Sequence, residues 1–236
     1  YSSLQKIIAQ FIKRTISYGI VCTDEALKIL NEVNWYPKTK KIWFGVPLEI
    51  YQKNIFQQEI LNLKQKLNIS YKQKVIGYVG RFIEEKGIKD LVQAFLKLDL
   101  EAVLIFIGDG PLRNYLEETG KNHKNIIVLP AQKSEDLAYY YKLIDVLVLP
   151  SKTTKSWKEQ FGRVLIEAMA CGTKLIGSNS GAIPEVIDDY GTIFKEGDID
   201  DLKNSIIKEL NTKRDKNKLL QRAKLASVEN FVKEGL

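Results

Sequence analysis

Apolar and polar positions divide the chain into short apolar runs and longer segments with a helical repeat. The apolar runs are rich in Val, Ile and Leu, and they predict strands at 20–23, 41–44, 75–79, 102–107, 126–129, 146–149, 175–177 and 192–194. Segments whose apolar residues recur every three or four positions predict helices at 25–33, 55–67, 88–98, 112–119, 135–143, 164–171, 199–210 and 217–229. This alternation is typical of an α/β fold with a doubly wound parallel sheet, complete between about residues 74 and 210.

Composition sets further bounds on the kind of protein. The chain has 236 residues, of which 44% are apolar, and a net charge of +7. This positive charge suits anionic partners such as nucleotide phosphates, acidic membranes or nucleic acid, without choosing among them. Cys22 and Cys171 lie in apolar segments without metal-ligand spacing, which favours reduced thiols in a cytoplasmic protein. No apolar run reaches the roughly 18 residues of a membrane-spanning helix, and no signal peptide is visible.

The most informative stretch for function is the segment 157–172, which contains two acidic residues eight positions apart, Glu159 and Glu167. The predicted helix is apolar on almost every side around Glu167, so this carboxylate is expected to be buried and to need polar partners. Hydroxyl groups of a ligand could supply them. Glu159 precedes the helix, and Phe161 and Gly162 open it. Free backbone N–H groups at the helix start therefore suit a phosphate.

A second group of candidate residues follows the predicted strand 75–79. Gly80 provides a turn, and Arg81 and Lys86 lie in the loop before the next predicted helix. In an open α/β sheet such a loop lies at the carboxyl edge of the strands, where ligands bind. A planar Arg fork and a Lys point charge together suit a diphosphate. The sequence has no Asp-x-Asp pair beside an apolar strand and a single His, so no metal site is predicted.

Several motifs follow the order and spacing that are typical of one enzyme family. They are Glu-x7-Glu with its flanking Phe161-Gly162 and Glu167-Ala168-Met169-Ala170-Cys171-Gly172, and the later Gly181-Ala182-Ile183-Pro184-Glu185. Together they resemble the retaining glycosyltransferase family four, whose members have two Rossmann-like domains in the GT-B arrangement. The resemblance implies a hexosyltransferase-type enzyme that moves a sugar from a nucleoside-diphosphate sugar to an acceptor hydroxyl with retention of configuration.

The resemblance also implies roles for individual residues. Arg81 and Lys86 would bind the donor diphosphate and stabilise the departing nucleotide, while Glu159 would contact the transferred sugar; these three are the predicted catalytic residues. Glu167 would hold the ribose hydroxyls. The remaining predicted donor-binding residues are Gly80, Gln160, Phe161, Gly162 and Val164, with Phe161 contributing its backbone. No cofactor and no metal are expected, because the two cations would neutralise the leaving group.

Two loops predict a pocket for the base of the nucleotide. Gly108, in the turn Gly108-Asp109-Gly110-Pro111, follows a strand and resembles the family's turn beside the nucleotide, although a plain turn fits the same residues. Pro130 and Ala131 lie where the family cradles the base with backbone groups. Backbone contacts of this kind do not identify the base.

The resemblance divides the chain into three parts. Residues 1–45 are predicted to be the C-terminal remnant of an acceptor domain, 46–73 a linker and helix, and 74–236 the donor-binding domain. The chain is expected to be a fragment, or a naturally shortened protein, that binds donor and transfers little alone. Its expected partners are a nucleotide sugar and an acceptor sugar, glycolipid or polysaccharide, with no nucleic acid. The expected location is the cytoplasm, including the inner face of the membrane.

Two basic segments leave the choice between protein and membrane contacts open. One face of the first predicted helix is apolar, and the residues of that face are Leu4, Ile7, Ile8, Phe11, Ile12 and Ile16. With Lys6, Lys13 and Arg14 opposite, this helix either packs on its own domain or lies on anionic lipid as a peripheral contact. The basic stretch 213–218 is predicted to be a solvated helix start.

Other interpretations of the site and of the function stay open. Arg81 and Lys86 could belong to a solvated loop, Glu159 could be an exposed loop acid, and Glu167 could form an ion pair inside the domain. The main alternative function is a non-catalytic nucleotide-sugar-binding module that works with a separate acceptor-domain subunit. An epimerase or phosphorylase of similar architecture is another. A nucleic-acid binder is disfavoured, because aromatic and basic residues are not interleaved.

Overall fold

The computed structural model describes residues 17–32 and 38–235. In chain order the strands are β1 (Tyr18–Val21), β2 (Lys38–Lys41), β3 (Lys74–Val79), β4 (Ala102–Ile107), β5 (Ile126–Leu129), β6 (Val146–Leu149), β7 (Lys174–Ser178) and β8 (Thr192–Phe194). The α-helices are α1 (Asp24–Glu32), α2 (Leu48–Tyr51), α3 (Gln57–Lys66), α4 (Ile88–Leu96), α5 (Arg113–Asn122), α6 (Ser134–Leu143), α7 (Arg163–Ala170), α8 (Ile183–Ile187), α9 (Ile199–Asn211), α10 (Lys216–Lys224) and α11 (Val228–Gly235). Short 3-10 helices cover Glu84–Lys86 and Asp188–Tyr190. The predicted helix over residues 4–16 lies outside the described residues.

Strands β3 to β8 form one parallel sheet in the order β5-β4-β3-β6-β7-β8. All residues of β4 and β6 are buried, as continuous apolar strands require when helices cover both faces of a sheet. The structure confirms the predicted α/β fold with a Rossmann-like, doubly wound parallel sheet. From β3 the chain adds strands towards one edge, and from β6 towards the other, so the topological switch point lies between these two strands.

The first two strands form a separate parallel pair, with Tyr18 opposite Lys38 and Val21 opposite Lys41. The predicted strand at 41–44 is therefore wrong by about three residues. The polar run of β2 supplies the backbone hydrogen bonds, whereas the apolar Ile42 and Trp43 leave the strand and are buried. These two side chains are buried although they lie outside the strand, and an apolar run alone does not distinguish this case from a buried strand.

The end of the chain returns to this first pair of strands. The predicted helix at 217–229 is two helices, α10 and α11, because the backbone between them pairs with the segment after β2. There the Val46 N–H donates to the Ala226 carbonyl at 2.6 Å, and the Val228 N–H donates to the Val46 carbonyl at 3.3 Å. An ion pair of 2.6 Å between Lys40 and Glu234 then ties α11 to β2.

The basic stretch before α10 is not wholly solvated, contrary to the prediction. Arg214 donates to both carboxylate oxygens of Glu209, from Nε and from Nη2, at 2.8 Å each. The Thr192 hydroxyl donates to the same carboxylate at 2.6 Å. Glu209 lies at the end of α9 and is completely buried, so Arg214 supplies the counter-charge that its burial requires.

No helix within residues 17–32 and 38–235 is long and apolar enough to cross a membrane.

Candidate functional site

Three loops meet at the carboxyl edge of the main sheet, beside the switch point. The Gly80 N–H, after β3, donates to the Ile107 carbonyl at 3.0 Å, and the Gly108 N–H, after β4, donates to the Leu129 carbonyl at 3.2 Å. The Phe82 N–H donates to the Asp109 carbonyl at 2.7 Å. These bonds extend the β3, β4 and β5 ladder beyond the strands and fix the loops against one another.

A cavity of about 280 Å³ opens among these loops. Four predicted site residues line it together, namely Gly80, Arg81, Gly108 and Ala131. The fifth residue predicted nearby, Pro130, is exposed and does not line it; its carbonyl accepts a hydrogen bond from the Gln132 side chain at 2.9 Å. Val79, Ile107 and Leu137 complete an apolar wall, so the cavity suits a flat, mostly apolar group with polar edges.

Arg81 is exposed at the mouth of this cavity, and its carbonyl accepts a hydrogen bond from the buried Tyr78 hydroxyl at 2.7 Å. Burial, together with the negative charge of Glu159, holds the pKa of Tyr78 above its usual range, so this hydroxyl stays a neutral donor. In the part of the chain that the structure describes, no acidic side chain pairs with the Arg81 guanidinium. A free cation on a fixed backbone is suited to an anionic ligand.

Arg113 holds the turn beside the cavity in place and is not among the residues predicted from the sequence. Its Nη2 donates to the Gly108 carbonyl at 2.8 Å, and its Nε pairs with Asp109 at 3.0 Å. The hydrogen bond from Arg113, reinforced by the Gly110 N–H, keeps the pKa of Asp109 below its usual value. The spacing of four residues between Asp109 and Arg113 was visible in the sequence as a helical ion pair. The ion pair between Arg113 and Asp109 fixes the turn whose residues Gly108 and Asp109 line the cavity.

Lys86 and Glu159 form an ion pair across the switch point. Lys86 lies in the 3-10 helix after β3, and Glu159 in the loop after β6. The Ser151 hydroxyl donates to the same Glu159 oxygen at 2.9 Å, and the Lys86 Nζ lies 5.1 Å from the centre of the Trp157 ring. Glu159 is buried and Lys86 half-buried, so the structure places both predicted residues in one protected cluster rather than in solvated loops.

Glu167 is buried on α7, as its apolar surroundings predict. The Tyr141 hydroxyl donates to its Oε2 at 2.7 Å, and the Arg163 Nε pairs with its Oε1 at 3.0 Å. The Tyr51 hydroxyl is buried nearby and, within the described residues, makes no hydrogen bond. Burial, with the negative charge of Glu167 second, raises the pKa of Tyr51 to about 12. The ion pair with Arg163 was one of the interpretations left open by the sequence.

The remaining predicted residues lie at the start of α7. The Phe161 ring is buried in edge contact with Trp43 at 5.6 Å and Phe44 at 5.5 Å, so its side chain belongs to the core. Gly162 adopts a left-handed conformation with φ of +75° and leads into the first turn. Gln160 is exposed and Val164 half-buried. The first N–H groups of a helix have no partner within the helix, so this turn can donate to a ligand.

The buried carboxyl of Glu167 predicts a dependence of stability on pH. Burial raises the pKa of Glu167 above its usual value of 4.5, although Tyr141 and Arg163 lower it in part. The folded chain therefore keeps this proton to a higher pH than the unfolded chain. The free energy of unfolding should consequently fall as pH rises from about 4.5 through the native pKa. Urea unfolding of wild type and Glu167→Gln across this range checks it, and a pH-independent difference between them would contradict it.

Solved structures of other proteins share the fold of this chain. An Anabaena HepE structure in complex with UDP superimposes with a TM-score of 0.83 at 19% identity, covering 99% of this chain and 67% of that chain. Sucrose-phosphate synthase from Thermosynechococcus elongatus gives a TM-score of 0.78 at 23% identity, covering 99% and 60%. At these identities the likeness shows the fold, which is that of the GT-B glycosyltransferases.

Sequence comparison then gives the family. Residues 59–226 match the family model described as glycosyl transferases group 1. N-acetyl-alpha-D-glucosaminyl L-malate synthase of Bacillus anthracis is 31% identical over 232 residues, which cover 94% of this chain and 60% of that protein. D-inositol 3-phosphate glycosyltransferase of Mycobacterium ulcerans is 28% identical, and the match covers 40% of its length. The chain belongs to the glycosyl transferases group 1 family, and it spans 60% or less of these relatives.

Proposed function

We propose that the chain is the donor-binding half of a retaining glycosyltransferase that moves a sugar from a nucleoside-diphosphate sugar to an acceptor hydroxyl. The observation that carries this proposal is the cavity of about 280 Å³ beside the switch point, with Arg81 at its mouth and no acidic partner for Arg81 among the described residues. Its apolar wall suits a nucleotide base, and Arg81 and Lys86 lie on the loops that follow β3. The structure of Anabaena HepE with UDP supports the choice of a uridine nucleotide as the first probe.

Arg81 and Lys86 would bind the diphosphate and stabilise the nucleotide as it leaves. Negative charge grows on the leaving group while the glycosidic bond breaks, and cations placed beforehand lower the barrier. Donors of the oxyanion-hole type contribute about 3 kcal/mol each, which gives the scale of the effect. With two cations at the site, we propose that transfer needs no metal ion.

Glu167 would accept hydrogen bonds from the ribose hydroxyls. Tyr141 already orients one carboxylate oxygen at 2.7 Å, while the other is held by Arg163, whose side chain is 55% exposed. Because Arg163 can exchange its contact for water at little cost, the ribose would replace it on that oxygen. The first turn of α7 would face the phosphates, and Glu159 with the backbone of 160–162 would contact the transferred sugar.

The acceptor would be a sugar, a glycolipid or a polysaccharide, bound mainly by protein outside residues 46–236. No carboxylate is proposed as a covalent nucleophile, so orientation of the donor and stabilisation of the leaving group would account for catalysis. The proposed location is the cytoplasm or the inner face of a membrane.

Calorimetric titration of the chain with UDP, GDP and ADP, without metal, tests the proposal. One nucleotide should bind, and Arg81→Ala should weaken it about 30-fold, because a charge-assisted hydrogen bond of about 2 kcal/mol is lost. Glu167→Ala should weaken the same nucleotide by a similar factor. Lys72→Ala, which removes an exposed charge remote from the cavity, is the control. Binding of none of the three nucleotides, or binding that neither site substitution weakens, would refute the proposal.

A further inference from the structure

Each partner of the Lys86–Glu159 ion pair makes a second contact of its own, Lys86 with an aromatic ring and Glu159 with a hydroxyl group. Lys86 lies over the Trp157 ring, 5.1 Å from its centre, which is within the range of a cation–π contact. Glu159 accepts a hydrogen bond from the Ser151 hydroxyl at 2.9 Å. If the ion pair separates, the cation keeps an aromatic face and the carboxylate keeps a donor.

The backbones that carry the two charges are fixed. The Glu159 carbonyl accepts from the Ala182 N–H at 2.9 Å, and Gly181 packs so closely that an added Cβ would lie 2.0 Å from the same carbonyl oxygen. On the other side, the Lys86 N–H donates to the Ile83 carbonyl at 3.1 Å. Separation of the pair therefore requires rotation of the two side chains and no movement of the loops.

The pair also neutralises the cation that a diphosphate would use. A diphosphate brings more negative charge than one carboxylate, and several oxygens, so it competes with Glu159 for the Lys86 ammonium. Once displaced, Glu159 is a buried carboxylate whose remaining lone pairs need new donors, and sugar hydroxyls are donors of the required kind. Binding of the diphosphate would in this way prepare the position for the sugar.

We propose that the Lys86–Glu159 pair opens when a nucleoside diphosphate binds, with Trp157 as a positioning residue for Lys86 and Ser151 as a positioning residue for Glu159. This inference rests on the proposed function. It adds that the site couples the two ends of the donor: the diphosphate frees Glu159, and only then does Glu159 bind the sugar.

The coupling predicts that loss of Glu159 strengthens the binding of the nucleotide alone. In calorimetric titration with UDP, Glu159→Gln should raise the affinity about fivefold, because the competing anion is gone. We also expect wild type to bind UDP-glucose more tightly than UDP, and the same substitution should remove this difference. Glu84→Gln is a matched control, since it breaks an exposed ion pair with Lys89 near the same loop and should leave both affinities unchanged.

A second set of variants tests the role of Trp157. Trp157→Phe keeps an aromatic face and should retain UDP affinity within about twofold, whereas Trp157→Leu should weaken it about fivefold. In the Glu159→Gln background the loss caused by Trp157→Leu should be larger, because Trp157 is then the remaining anchor of Lys86. A purely structural role would give equal losses in both backgrounds.

The outcomes separate this inference from the proposed function. If wild type binds none of UDP, GDP and ADP, both fail. If wild type binds one of these nucleotides and Glu159→Gln leaves the affinity for that nucleotide unchanged or weakens it, the opening of the pair is refuted while the donor site stands. If Glu159→Gln binds UDP more tightly but Trp157→Leu behaves like Trp157→Phe, the positioning role of Trp157 is refuted.

Discussion

Replacement of Gly87 by alanine should lower the free energy of unfolding by about 3 kcal/mol or more. Gly87 has φ of +65°, a left-handed conformation that disfavours a side chain. An added Cβ would also lie 1.8 Å from the Pro150 carbonyl oxygen, so the 3-10 helix and the end of β6 would have to separate. Backbone strain and steric overlap would therefore both contribute to the loss of stability caused by this one substitution.

The same change should also weaken nucleotide binding. Gly87 follows Lys86, and Pro150 precedes Ser151, so their separation would pull the two sides of the ion-pair cluster apart. Chemical unfolding and UDP titration of Gly87→Ala measure the two effects. Gly197→Ala is the matched control, because Gly197 has φ of +76° but no atom of the described residues lies within 4 Å of an added Cβ, and it should cost only about 1 kcal/mol. Equal losses in the two variants would contradict the importance of the Pro150 contact.

Replacement of Arg214 by methionine should destabilise the fold by about 3–5 kcal/mol. Glu209 is completely buried and receives two hydrogen bonds from Arg214, so among the described residues the substitution leaves the Thr192 hydroxyl as the side-chain donor to a buried carboxylate. The buried carboxylate then lacks its counter-charge, and an uncompensated buried charge costs free energy.

Urea unfolding of Arg214→Met against Lys213→Met measures this cost. Lys213 is the exposed neighbour, and its replacement should change the free energy of unfolding by no more than about 0.5 kcal/mol. The double variant Arg214→Met/Glu209→Gln should recover much of the loss, because no buried charge is then left unpaired. An Arg214→Met protein as stable as the Lys213→Met control would show that the ion pair contributes no net stability.

Local pattern was sufficient for the buried part of the fold. Ala102–Ile107 and Val146–Leu149 were predicted with the bounds that the structure has, because a strand covered on both faces must be apolar throughout. The strand at Lys38–Lys41 was misplaced, since its residues are polar and its position depends on pairing with β1. Pairing partners distant in sequence leave no periodic signal in either strand.

The residues of the candidate site also fall into two groups, those that local spacing indicates and those that depend on contacts between distant segments. Spacing within one loop or helix indicated Arg81, Lys86, Glu159 and Glu167 as a set of charged residues around one edge of the sheet. The partners that hold them come from elsewhere: Tyr141 lies 26 residues from Glu167 along the chain. Such contacts follow from the packing of α6 against α7, which sequence alone does not specify. Arg163 and Arg113 are different, because their spacing of four residues from an acid was a readable signal.

The pairing of Val46 with Ala226 and Val228 has a mechanical consequence. The chain crosses between the β1–β2 pair and the main sheet at this point twice, and the two crossings are hydrogen-bonded side by side. Because the two crossings are hydrogen-bonded to each other, neither can shift at Val46 without the other. The ion pairs of Lys41 with Glu185 and of Glu25 with Lys158 join the same region to the main domain at further points, so its attachment is distributed over several contacts.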